Sequence, residues 1–414
     1  MTTVLSMPRP VPATTGRPTG RESRPRAQWP RMVGPALLVA AGYVDPGNWG
    51  TDVAAGTQYG YRLIWVVLAA ILAALFLQQL AARVGFATGQ DLATLLRRHV
   101  RRATLRLLMP PLFLALAVTE TVELLGVVFG VRMLTGWSLV PAVGLSAGLV
   151  LAVLAAPGPT GRRVVYGCLG LIAAVYVVAL GRHGAVAVGI HVRPSGLPSG
   201  SAPIAVGLIG SIVMPHNILL QSALARDLAA DRPWTRRSSP LRGSLVTTGL
   251  ALTLAFVVNA AITSLATGTD HGTRQSLAGM PAGLGTAFGS FATVLFGLTL
   301  LASGLASSTT GAMISVDVLK QLVPTWDLPA LARRSLFLVP ATLIAASPLS
   351  PVSVLVWSQA VLTWTLPVVL VPLVWFASRA DLMGTHVLSR RHLGVAVLVT
   401  VGLVTAGLSS IVAL

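Results

Sequence analysis

The 414-residue chain is 54% hydrophobic and only 10% charged, with a mean hydropathy of +0.77. A soluble domain carries about 25% charged residues, so the composition excludes one and indicates an integral membrane protein. The net charge of +18 would suit a nucleic-acid binder, but the basic residues are distributed as in a membrane protein.

Residues 1–31 are rich in Pro, Arg, Thr and Ser, with no apolar core before Met32. This stretch reads as a disordered basic cytoplasmic tail rather than a cleaved signal peptide. Eleven apolar segments follow, at about 33–57, 61–84, 107–131, 138–156, 164–181, 204–225, 243–268, 284–314, 334–348, 352–377 and 393–413. Each approaches the roughly 20 residues that span a bilayer as a helix. They are longer than barrel strands and lack strict alternation. The expected fold is therefore an all-α polytopic membrane protein with eleven transmembrane helices. Cys168 is the single cysteine and lies mid-helix, so no intramolecular disulfide or thiolate cluster forms.

Charge asymmetry sets the expected topology. With the N-terminus inside, the tail and the loops after the even-numbered helices hold 25 of the 30 Lys and Arg residues. Only Arg62, Arg132, Arg182, Arg193 and Arg274 remain outside. The positive-inside rule then places the N-terminus in the cytoplasm and the C-terminus outside. The basic balance reports topology and contact with anionic lipid, not nucleic acid.

Helices 1–5 (residues 32–190) and 6–10 (203–380) form two halves, with a loop and helix 11 in 381–414. Five is odd, so the second half starts on the opposite side and must be inverted relative to the first. A Pro/Gly/Ser-rich linker at 191–202 joins them. No GxxxxGK[ST] loop is present, which argues against nucleotide hydrolysis.

Two motifs carry the chemistry: Asp45-Pro46-Gly47-Asn48 and Met214-Pro215-His216-Asn217. They lie at matching positions of the two halves, each in the middle of an apolar segment. Proline removes a helix hydrogen bond and clashes with the preceding turn, so both helices should break there. Paired broken helices point to a transporter binding site. Asp45 offers charge, Asn48 an amide oxygen and Met214 a thioether. The carbonyls of Gly42 and Ser211 are expected to face the gap. A carboxylate inside a membrane is functional by default. Asn48 also suits a helix cap, and Met214 taken alone suits core filling. His216 fits a ligand, a proton path or a carbonyl partner. A thioether adds little for Mg²⁺ or Ca²⁺, so the mixed set reads as a transition-metal site.

The stretches Gly42–Trp49 (GYVDPGNW) and Gly207–Asn217 (GLIGSIVMPHN) resemble the first- and sixth-helix signatures of the Nramp metal-ion transporters. The likeness continues through Gly60–Trp65, Thr88–Leu92 and Ala302–Ser307. It implies a LeuT-like five-plus-five inverted repeat with broken helices 1 and 6. It further implies H⁺ symport of Mn²⁺ or Fe²⁺ by alternating access, with metal and proton as substrates and no cofactor. Its metal ligands fall on Asp45, Asn48, Met214, the carbonyls of Gly42 and Ser211, and Gln359.

Glu120 and Glu123 lie three residues apart and so on one helix face. Two carboxyls side by side in a low dielectric suit proton transfer; a structural pair satisfied by arginines is the alternative. The resemblance puts these acids on a proton path leading to Arg333 and Arg334, which equally fit ordinary positive-inside residues. Ser211, Gln221 and Thr365 depart from the family's Ala, His and Gln. The Ser211 hydroxyl fits either an added ligand or a bond to the helix backbone.

The expected function is import of a divalent transition metal, Mn²⁺ first and Fe²⁺ second, at the cell membrane. A Na⁺-coupled amino-acid transporter of the same fold is the first alternative. A metal-binding membrane receptor that does not transport is the second. A membrane enzyme has no HExxH or other His cluster behind it.

Overall fold

A computed structural model describes residues 29–156, 158–183, 194, 196–230, 240–267, 291–323, 325, 327–347 and 351–412. The expected tail at 1–28, the 191–193 end of the linker and residues 284–290 lie outside the described residues. Among those described, the chain is helical with no strand.

The first apolar segment is two helices, α1 (Trp29–Ala41) and α2 (Pro46–Tyr59). A 3₁₀ turn at Gly60–Leu63 leads into α3 (Ile64–Thr88). Short α4 (Leu92–His99) precedes the long α5 (Arg102–Thr135), then α6 (Leu139–Ala155) and α7 (Gly158–His183). The sixth apolar segment again splits, into α8 (Ala202–Ile212) and α9 (Pro215–Ala230). It is followed by α10 (Pro240–Ala266) and α11 (Ala292–Leu322). The predicted 334–348 span is two short helices, α12 (Ala330–Ser335) and α13 (Leu338–Ala345). The chain closes with α14 (Pro351–Ser378), α15 (Ala380–Met383) and α16 (Arg390–Val412).

Eight helical stretches among the described residues are long and apolar enough to cross a membrane. Where described, the predicted spans are largely helical, interrupted at 42–45 and 213–214, but α6, at 17 residues, and the α12–α13 pair are shorter than a full crossing. The eighth span runs further than expected, to Leu322, because its polar end stays helical against neighbouring helices.

The bundle centres on α5 and α11, which pair most extensively. Small residues let their backbones meet: Gly304 packs against the Glu123 backbone, and Gly130 against the Gly297 carbonyl. In lipid, where no hydrophobic drive brings helices together, such close approach is the usual source of association. Both interrupted helices pack inside this frame, with α2 against α5, α8, α10 and α14, and α9 against α3 and α11. Gly126 of α5 leaves room for the Pro46 ring, where a Cβ would overlap it.

At one end of the bundle, Asp91 caps α4 by accepting a bond from the Thr94 amide at 2.8 Å. Arg226 at the end of α9 pairs with Asp91, with Asp227 at 2.8 Å and with Asp317 of α11 at 3.2 Å. One guanidinium thus ties α4, α9 and α11 together.

Candidate functional site

Residues 42–45 between α1 and α2 are not helical. Pro46 has no N–H, so the carbonyl four residues before it, Gly42 O, loses its helical donor. Pro215 does the same to Ser211 O. Neighbouring carbonyls are satisfied individually. Ser307 Oγ of α11 donates to Ala41 O at 2.9 Å, and Ser303 Oγ donates to Val44 O. Asn48 Nδ2 donates to Tyr43 O at 2.6 Å, and Asn259 Nδ2 of α10 reaches the same oxygen at 3.5 Å. Of the carbonyls from Ala41 to Val44, Gly42 O alone among the described residues has no donor. Since an unpaired carbonyl in a membrane interior is costly, an oxygen left open at this point suits a cation.

Asp45 is the N-cap of α2, with Oδ1 accepting from the Asn48 amide at 2.8 Å. The capping role expected as one option for Asn48 therefore belongs to Asp45. A cap of this kind stabilises a helix by about 1 kcal/mol. It also fixes the carboxylate at the helix start, beside the gap. With its Nδ2 spent on Tyr43 O, Asn48 keeps Oδ1 without a hydrogen-bond partner in a fully buried position.

The two breaks meet directly. Gly42 packs against the Asn217 side-chain amide, where a Cβ would overlap it. Asn217 Nδ2 lies 3.9 Å from Met214 Sδ, within the weak contact range of a thioether. Across the gap, Thr51 Oγ1 donates to Ser211 Oγ at 3.3 Å. Ser211 Oγ itself donates to Leu208 O at 2.9 Å. Of the two options for this hydroxyl, the backbone bond is the one observed. The Gln359 amide of α14 sits directly over Gly47, and its Oε1 is buried without a partner. Asp45, Asn48, Ser211, Met214 and Gln359 all have side chains no more than 1% exposed. The buried groups at and beside the two breaks include a carboxylate, two amide oxygens, two proline-freed carbonyls and a thioether. No group of three or more His, Cys, Asp or Glu residues fit to hold a metal occurs among the described residues, so any affinity here has to come from this mixed set.

The expected proton-path residues are only partly gathered. His216 Nδ1 shares a bond with Thr119 Oγ1 at 3.3 Å, and its Nε2 is buried without a partner. Glu120, next to Thr119, accepts from Ser308 Oγ. Neither oxygen of buried Glu123 has a partner; a Cβ at Gly311 would lie 3.1 Å from its Oε2. No arginine among the described residues pairs with either glutamate. Arg334 instead donates to Leu154 O at 2.7 Å, capping the end of α6, while Arg333 Nε is unpartnered. Their helix, α12, packs chiefly on α11 and α6 rather than on the α5 that carries the glutamates.

The departures are also placed. Gln221 Nε2 donates to Ser244 Oγ at 3.2 Å, and Thr365 Oγ1 to Leu362 O at 2.8 Å. Both are spent within the helical packing rather than at the gap.

Sequence reasoning missed two buried polar residues beside the gap. Asp52, seven residues beyond Asp45 on α2, is 1% exposed, and Asn259 is fully buried. The signal for Asp52 was available: it is a second carboxylate inside the first apolar segment. The serines at 303 and 307 carried no such signal, because hydroxyls bond their own helices as readily as a neighbour.

The fold defines a multi-pass membrane protein in which two interrupted helices touch at their breaks, with buried oxygen and sulfur groups on both. The family profile for natural resistance-associated macrophage protein-like chains, Nramp, matches residues 36–413. The chain belongs to the Nramp family. It is 34% identical over 372 residues to the divalent metal cation transporter MntH of Deinococcus radiodurans, covering 87% of this chain and 84% of that one. It is 37% identical to divalent metal cation transporter MntH 1 of Pseudomonas aeruginosa, covering 86% and 85%. These relatives are named as transporters, not as enzymes. Among solved structures, the Eremococcus coleocola manganese transporter superposes with a TM-score of 0.78 at 24% identity, covering 95% of this chain and 89% of that one. MhsT in complex with L-phenylalanine superposes with a TM-score of 0.61 at 14% identity, covering 95% and 99%. At these identities the likeness is one of fold, and that fold is LeuT-like.

Proposed function

We propose that the chain imports divalent transition metal ions, Mn²⁺ first and Fe²⁺ second, by H⁺ symport with alternating access. The observation that carries this reading is the contact between the two breaks, Gly42 against the Asn217 amide and Asn217 Nδ2 at 3.9 Å from Met214 Sδ; the ligands in this reading are Asp45, Asn48, Met214, Gln359 and the carbonyls of Gly42 and Ser211. The relatives named as divalent metal cation transporters support it. Asp45 supplies the charge that draws a dication out of water. The amides and carbonyls replace its hydration shell with fixed oxygens. Met214 gives a softer ion an advantage over Mg²⁺ and Ca²⁺.

The halves 32–190 and 203–380 act as an inverted repeat, and helices 1, 6 and 10 of the sequence rock to open the site to each side in turn. The N-terminus is cytoplasmic and the C-terminus extracytoplasmic, in accord with the charge asymmetry. For the proton, two separate contacts, His216 Nδ1 with Thr119 Oγ1 and Ser308 Oγ with Glu120, support a route along α5 and α11, with Glu123 beside it. The route leads on to Arg333 and Arg334 of α12, which packs on α11.

The deciding experiment is Mn²⁺ uptake into proteoliposomes with internal pH recorded at the same time. Acidification that tracks uptake is expected. A flat pH trace during Mn²⁺ entry removes the symport while leaving the metal site, and no Mn²⁺ entry removes the transport reading. A Na⁺-coupled amino-acid transporter would share the fold but not the Asp45–Met214 pair. Competition by Cd²⁺ and not by amino acids separates the two.

A further inference from the structure

Asp52 is a buried carboxylate that the central site does not use. It lies two turns beyond Asp45 on α2, close to the same face and about 10 Å further along the axis. Its Oδ2 has no hydrogen-bond partner. A carboxylate held at this depth without a counter-ion is costly, and such groups mark ion or proton pathways.

Its surroundings are oxygen-rich. Thr263 of α10 faces this part of α2, its hydroxyl near the Asp52 carboxyl group and its proton given to Asn259 O. Gly56, one turn further along α2, lets the Thr263 backbone close in where a Cβ would overlap its carbonyl. Tyr176 of α7 lies near Asp52, with its phenol buried and close to the Thr299 hydroxyl of α11. The Tyr176 ring is fixed edge-on to Trp49 at 5.4 Å, and Trp49 in turn rests on Phe296 at 5.5 Å.

This place is joined to the central gap. Thr263 Oγ1 donates to Asn259 O at 3.0 Å, one turn back along α10. Asn259 Nδ2 reaches Tyr43 O, the oxygen that Asn48 also holds, and Asn259 Oδ1 is unpartnered. A polar ladder on α10 therefore runs from the gap to Asp52.

We propose that Asp52, Thr263 and Tyr176 form a second cation subsite, made of oxygen donors only, at which a divalent metal ion rests between the outside and the central site. The inference rests on the metal-transport reading above. The chemistry of the two sites differs in a useful way. Without sulfur, the subsite binds Mn²⁺ and Ca²⁺ with similar weakness and leaves selection to Met214. Two dications so close together repel, so occupation of the central site empties the subsite, which suits a station on a path rather than a store.

Mn²⁺ titration of the full-length protein in detergent, followed by electron paramagnetic resonance, tests this. Wild type is expected to show one tight ion. Asp45→Ala is expected to lose the tight ion and keep a weak one that Ca²⁺ displaces equally well. Asp45→Ala/Asp52→Asn is expected to bind none. In proteoliposomes, Asp52→Asn alone should keep the tight ion but lower Mn²⁺ uptake about tenfold at subsaturating metal. Thr263→Val, which spares the carboxylate, should weaken the residual binding of Asp45→Ala about tenfold. Weak binding that is undiminished in Asp45→Ala/Asp52→Asn or in Asp45→Ala/Thr263→Val, or Asp52→Asn uptake equal to wild type, overturns the subsite. Absence of the tight ion from wild type would strike the metal reading itself, a separate outcome.

Discussion

Asn48 of α2 and Asn259 of α10 both direct their side-chain amides at one oxygen, the Tyr43 carbonyl, at 2.6 and 3.5 Å. Each keeps its own amide oxygen unpartnered. The bond to Tyr43 O spends Asn48 Nδ2 and leaves Oδ1 open, and Asn259 shares that anchoring oxygen from a different helix. Asn259→Ala leaves Tyr43 O with one donor and lets Asn48 relax. Disturbing a buried amide network costs about 1–3 kcal/mol. The expected result is Mn²⁺ affinity weakened about tenfold with the fold intact, measured by calorimetry alongside thermal melting.

Met214 is the only sulfur in the donor set. Met214→Ala removes the soft ligand while Asp45 and the oxygens stay in place. Mn²⁺ uptake should persist at reduced rate, and Ca²⁺ should become an effective competitor. Uptake assays against a Mn²⁺, Cd²⁺, Ca²⁺ and Mg²⁺ panel read this directly. An unchanged preference for Mn²⁺ over Ca²⁺ would remove the selectivity argument.

Gly47 tests the geometry without touching a ligand. A Cβ there overlaps the Gln359 amide and lies 2.8 Å from Val122 Cγ1. Gly47→Ala should push Gln359 off the gap and cut Mn²⁺ uptake by at least tenfold. Gly144→Ala, where a Cβ meets nothing within 4 Å, serves as the neutral control. Equal activity in the two variants would show that Gln359 takes no part.

The Arg226 cluster makes a stability prediction. The Asp91 side chain is only 3% exposed, whereas Asp227 is 64% exposed. Removing one partner of a buried pair costs about 3–5 kcal/mol, and the partial exposure of Arg226 lowers that figure. Arg226→Ala should therefore lower the melting temperature clearly, while Asp227→Asn should leave it unchanged, as exposed pairs contribute about 0–1 kcal/mol. If both variants melt like wild type, Arg226 does not brace α4 and α11.

Much of the site was legible because its elements are local. The prolines at 46 and 215 announce both breaks, and the carbonyls they free, Gly42 and Ser211, follow from the four-residue helix repeat. The opposed roles of Asp45 and Met214 follow from side-chain chemistry alone. Local information did not extend to the partners of distant residues: Arg334 is bonded to Leu154 O, 180 residues away. No spacing rule connects residues so distant.

By itself the sequence determined the membrane class, the paired interruptions and the types of donor at each. These are properties of apolar length, of the missing proline N–H and of side-chain identity, none of which depends on what packs nearby. Only the tertiary structure decided which oxygens stay open. Ser303 and Ser307 close Val44 O and Ala41 O, and Asn48 with Asn259 closes Tyr43 O, so that Gly42 O is left over. It also made Asp45 rather than Asn48 the cap of α2, and brought Thr263 to Asp52. In a membrane interior every polar group must find its partner within the protein. Which partner it finds depends on helices brought together from across the chain.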